Sequence, residues 1–222
     1  NVYTEIKIVD TGSKLEDLQR LIDTFREDPN VTIYHIADRE WIHLSERVAA
    51  GIDLGISQVE TPFFYLTHDD VWLKRDDFLS DLLKVNQEMA EAPVGYEMSP
   101  RSHITEQWRG MLSHTATLFK TDYHYRHRLR WSLKAAFMRK ETEIKGAGWP
   151  DTETNIGLQM KDQNLKPVFI GHETNEPHFE DENIIHRRSL TTHRLLWPEL
   201  ATTDESWQLA QMQNFGATKD GH

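Results

Sequence analysis

The sequence predicts an α/β domain with a mixed, mostly parallel sheet flanked by helices. Three observations carry this: short apolar runs at 4–9, 31–36 and 63–67, helical spacing in the two stretches between them, and turn residues at the junctions. The run TEIKIV at 4–9 is a strand, closed by the turn Asp10-Thr11-Gly12-Ser13. From Lys14 to Arg26, Leu15, Leu18, Leu21, Ile22 and Phe25 fall on one helical face, and Asp28-Pro29-Asn30 ends the helix. VTIYHI at 31–36 is the second strand and Ser45 to Ile56 the second helix. Glu60-Thr61-Pro62 breaks the chain before FFYLT at 63–67, whose unbroken apolar character marks a strand covered on both faces.

Further on, a helix is expected over 77–91, one or two strands within 94–120, and a basic, aromatic helix over 121–141. Gly146-Ala147-Gly148-Trp149-Pro150 is a loop, 153–163 a helix, and Val168-Phe169-Ile170 a strand. The His- and acid-rich stretch 172–193 reads mostly as loop. One domain is expected over 1–195, followed by a polar extension or tail over 196–222. The composition is globular, with seven tryptophans. No run reaches the length of a membrane-spanning helix, so no transmembrane segment is expected.

The net charge of −11 repels nucleic-acid phosphates, so no nucleic-acid partner is expected. The absence of cysteine removes disulfides, zinc–thiolate sites and thiol nucleophiles, and fits a reducing compartment, hence a cytoplasmic location.

The third strand runs into Thr67-His68-Asp69-Asp70-Val71-Trp72. Ligands of such sheets bind beyond the carboxyl ends of strands, so two acids there are placed for chemistry. Adjacent carboxylates can hold Mn²⁺ or Mg²⁺ while leaving positions open for substrate phosphates. Acids capping a helix N-terminus explain Asp69 and Asp70 equally well. Asp10 and its turn, with Gly12 and Ser13, can receive a ribose or base, or can be an ordinary turn. Arg47, early in the second helix, can grip a phosphate or pair with Glu46. Trp149 can stack on a sugar ring or anchor a core. Asp151 and Glu153 open a helix and can serve as general base or as caps. His172, His178 and His186 are candidates for a further metal ligand, with His178 preferred, although most histidines in such company are surface residues. The basic-aromatic run from His124 to Trp131 is a solvated helical face before it is an anion site.

Three segments together, EIKIVDTGS, LSERVAAGIDLGISQVETPFFYLTHDD and GAGWPDTETNIGLQMKDQNLKPVFIG, resemble the family 2 glycosyltransferases and their GT-A relatives over about residues 4–171. The resemblance implies the GT-A (Rossmann-like) fold, with the family's first strand–helix unit absent. It also implies metal-dependent transfer of a sugar from a nucleotide sugar, a UDP-sugar in most cases, to a carbohydrate or other hydroxyl acceptor, with inversion. On it, Asp10 contacts uracil or ribose and Arg47 reaches the nucleotide. Asp69 aligns with the last acid of the DXD motif, with Asp70 beside it. Glu153 is the catalytic base, with Asp151 second. Thr67 stands where the first acid is usual, and Glu153-Thr154 replaces the commoner Glu-Asp pair. A nucleotidyltransferase and a non-catalytic carbohydrate-binding module are the competing expectations, and product analysis separates the first: it releases pyrophosphate, whereas a glycosyltransferase releases the nucleoside diphosphate.

Overall fold

The computed structural model describes residues 4–37, 44–98, 110–132, 152, 154–173 and 178–187. Strand β1 (Ile6–Asp10) and strand β2 (Val31–His35) pair in parallel, from Ile6 opposite Val31 to Asp10 opposite His35. Helix α1 (Leu15–Phe25) is their crossover. Its first turn carries Glu16 and Asp17, which complement the positive end of the helix dipole. Helix α2 (Leu44–Ser57) lies against β1, and glycine lets it come close. A Cβ at Gly51 would stand 2.7 Å from the Thr11 methyl.

From α2 the chain enters strand β3 (Phe63–Thr67), turns, and forms strand β4 (Val71–Leu73) before helix α3 (Phe78–Glu88). Strands β5 (Val94–Glu97), β6 (Ala116–Lys120) and β7 (Val168–His172) join β3 in one sheet of order β3-β6-β5-β7. Helix α4 (Thr121–Arg126) follows β6, and helix α5 (Thr154–Asp162) precedes β7. Strands β8 (His178–Glu180) and β9 (Ile184–Arg187) form a hairpin, and β9 pairs with β4.

The four-stranded sheet is covered on both faces, and the period-2 alternation shows it. Phe64 and Phe119 face a core made with Ala49, Ile52 and Ile56 of α2 and Ile156 and Met160 of α5. Leu118 and Val94 face the opposite core, made with Phe78 and Leu82 of α3 and with Phe179 and Ile184 of the hairpin. Asp53 ties the 131–132 backbone to α2 by accepting N–H bonds from Trp131 and Ser132, each 2.9 Å.

The expected α/β architecture is present, with helices on the sheets. Antiparallel pairing is more extensive than the opening strand–helix alternation suggests. The pairs β1–β2 and β5–β7 are parallel, whereas β3–β6, β5–β6, β4–β9 and β8–β9 are antiparallel. The basic run from His124 is helical only to Arg126, because Arg128 adopts φ 52° and turns the chain. The expected loop at 172–193 contains the β8–β9 hairpin. Among the described residues no helix is long and apolar enough to cross a membrane.

His124 is fully buried, edge-on to Phe64 and Phe119, and neither ring nitrogen has a hydrogen-bond partner. Burial, with the nearby Arg130 charge, lowers its pKa to about 4. The unfolded chain takes that proton near pH 6.5, so protonation favours unfolding. The stability difference is absent above pH 6.5 and grows to about 3 kcal/mol of loss as pH falls to 4. Urea midpoints measured across this range should fall more steeply for wild type than for His124→Phe.

Candidate metal centre

Five strand ends deliver the site. His68 leaves β3, and Asp70 sits in the tight link to β4. In β9, His186 stands opposite Val71, the residue after Asp70, so the β4–β9 pairing sets the histidine beside the carboxylate. Thr67 pairs with Ala116, which brings His114, just before β6, over His68 with ring centroids 3.9 Å apart. Glu173 follows β7, its backbone N–H bonded to the Glu97 carbonyl at 3.0 Å.

His186 Nε2 is 3.4 Å and His68 Nδ1 is 3.7 Å from Asp70 Oδ1. The other nitrogen of His186, Nδ1, is 3.6 Å from Glu173 Oε1. Asp70, His186 and Glu173 are buried, and Asp70 Oδ1, His68 Nε2 and His186 Nδ1 take part in no hydrogen bond. His68, Asp70 and His186 each offer one donor atom, all within 4.8 Å of one another. Ligands about 2.0–2.2 Å from an ion lie about 3.0–3.5 Å apart, a spacing that the His186–Asp70 pair meets at 3.4 Å and that His68, at 3.7 Å from Asp70, reaches with a small closing movement.

Burial opposes the negative charge of Asp70, but the flanking His186 and His68 outweigh it and hold the carboxyl well below the usual range. Burial likewise opposes charge on His186, yet Asp70 and Glu173 raise its pKa to about 9. His68 is pushed down by burial and by His114, so its ring is neutral at neutral pH. Two buried carboxylates thus face the His186 ring from either side, and a metal cation that takes the place of the Nε2 proton is the fitting counter-charge.

Of the residues singled out from sequence, Asp70 and His186 come together here. Asp69 stands beside them with its residue surface exposed, and crowding that strips water from its carboxyl, followed by the Asp70 charge, pushes its pKa up. His178 begins β8 opposite Arg187. His172 is exposed and paired with Glu97. His68, His114 and Glu173 were not singled out as ligands. The i, i+2 spacing of His68 and Asp70 is the signal that could have found His68, whereas His114 and Glu173 arrive through strand pairing. Along an extended chain, alternate residues share a side and neighbours do not.

The end of β1 forms a separate polar cluster. Asp10 accepts bonds from the Gly12 and Ser13 amides at 3.3 and 3.2 Å and contacts His35 Nδ1 at 2.7 Å. Burial alone would raise its pKa, but the Ser13 and His35 hydrogen bonds lower it. Arg47 reaches the same turn, with Nε donating to Thr11 Oγ1 at 3.2 Å. Trp149, Asp151 and Glu153 lie outside the described residues.

No protein-family model matches the sequence, and neither does any curated protein. Among solved structures, a mannosyltransferase from Pyrobaculum calidifontis in complex with GDP-Man and Mn²⁺ is similar, with TM-score 0.49 and 13% identity. The likeness covers 75% of this chain and 45% of that one, and at this level it carries no functional argument.

Asp70→Asn, which keeps shape but loses charge, should weaken divalent-ion binding at least about 100-fold. Glu173→Gln should weaken it about 10–100-fold through His186. Asp69→Asn should change it less than about threefold. Titration calorimetry checks the order, and a larger loss from Asp69→Asn than from Asp70→Asn would refute the assignment.

Proposed function

We propose that this chain transfers a sugar from a nucleotide sugar to an acceptor hydroxyl. The observation that carries the proposal is the convergence of His68, Asp70 and His186 at strand ends, where an anion-bridging cation is suited. The order of sequence motifs supports the same reading, with a UDP-sugar as donor and a divalent metal ion beside its diphosphate.

On this proposal His68, Asp70 and His186 hold the ion, and Glu173 fixes the His186 ring. When bound, the ion supplies neutralisation of the charge that builds on the leaving diphosphate. Asp10, with Gly12 and Ser13, contacts the base or ribose, while Arg47 reaches the nucleotide phosphates. Glu153, or failing it Asp151, takes the proton from the acceptor hydroxyl. The acceptor oxygen then bonds to the anomeric carbon as the carbon–phosphate oxygen bond breaks, and the electron pair leaves with the nucleoside diphosphate. Attack from the face opposite the leaving group inverts the centre. Trp149 stacks on a sugar face.

The described residues at the start of α5 pack against α2 and the 130–132 segment. Thr152 Oγ1 lies 3.5 Å from the Ser45 carbonyl of α2. Asn155 Nδ2 donates to the carbonyls of Arg130 and Ser132, at 2.9 and 2.6 Å. Between those two, Trp131 meets the His114 ring edge-on at 6.0 Å, and His114 lies on His68. A short chain of contacts therefore runs from the start of α5 to the metal donors.

UDP and GDP should raise the melting temperature only with a divalent ion present. At 100 times Kd the gain is about 2.7 kcal/mol, or about 5–10 °C for a chain of this size. Incubation with nucleotide sugars and acceptors should release nucleoside diphosphate. Release of pyrophosphate, or nucleotide binding indifferent to chelator, would contradict the proposal.

A further inference from the structure

We infer that the centre is built for a nitrogen-preferring transition ion and discriminates against Mg²⁺ and Ca²⁺. The inference rests on the placing of a divalent ion at this site, and it adds which chemical class of ion the site accepts. Two of the three converging donors are imidazoles, His68 and His186, and only Asp70 supplies oxygen. Mg²⁺ and Ca²⁺ are hard ions that take oxygen ligands, and Mg²⁺ keeps several of its waters. Imidazole suits zinc, iron, cobalt and nickel, and gives little to the hard ions.

The ring orientations support ligation by His186. Its Nε2 faces Asp70 at 3.4 Å while Nδ1 faces Glu173 at 3.6 Å. A carboxylate behind a histidine fixes the tautomer and raises the basicity of the nitrogen that binds metal. A site designed around Mg²⁺ would have little use for such a brace. His68 is held from the other side by the His114 ring, 3.9 Å away, which limits its rotation. Among the described residues, no other group of three or more histidine, aspartate or glutamate side chains converges in this way.

The test uses the full chain without nucleotide. Co²⁺ should give visible d–d absorption, and the paramagnetic proton spectrum should show two exchangeable imidazole N–H resonances, one per histidine ligand. Affinity should rise from Mn²⁺ through Co²⁺, and Co²⁺ should bind at least about 100-fold more tightly than Mg²⁺. His68→Gln and His186→Gln should each remove one resonance and weaken Co²⁺ binding, with folding checked by circular dichroism. Should either variant unfold, the wild-type count of resonances still decides. Equal affinity for Mg²⁺ and Co²⁺, or a Co²⁺ spectrum without imidazole resonances, overturns the inference. Co²⁺ held through both histidines without any metal-dependent nucleotide binding upholds it and removes the sugar-transfer reading. Mg²⁺-dependent nucleotide binding untouched by both substitutions does the reverse.

Discussion

Asp70 is the constraint on which the arrangement turns. A carboxylate buried at the end of an apolar strand needs positive charge or donors around it, because stripping its water costs several kcal/mol. The fold meets that need with His68 from the same strand end and His186 from a strand far along the chain. Buried ion clusters of this kind seldom add net stability compared with apolar packing of the same volume. The sheet has ample apolar material on both faces, so the polar cluster is better understood as a tool than as a brace.

Much of the layout could be read from residue patterns. The runs at 31–36 and 63–67 became β2 and β3 almost residue for residue, because period and turn signals agreed. The helix at 153–163 and the strand after it were also legible, since Leu165 to Pro167 separates them cleanly. What was not legible was the set of short strands β4, β8 and β9. Strands of three or four residues offer almost no period to detect, and β8–β9 is embedded in histidines and acids that look like a solvated loop. Their pairing is specified by tertiary context: Phe179 and Ile184 are held by the core under α3.

The same blindness explains the site. Asp70 was visible because it follows an apolar strand, but its partners depend on cross-strand register. Nothing local marks His186 above His172 or His178. The register that sets His186 opposite Val71 does so, and it emerges only when β9 docks on β4. Glu173 likewise depends on the parallel pairing of β5 with β7. At the end of β1 the sequence was more informative, because Asp10, Gly12 and Ser13 form a local turn whose hydrogen bonds need no distant partner.

The β4–β9 pairing also makes the centre depend on a late part of the chain. All four strands of the central sheet lie before residue 173 in the chain, whereas His186 follows later with the hairpin. A fragment ending before β9 lacks His186 and with it the completed triad of donors, and it lacks Ile184 of the core under α3 as well.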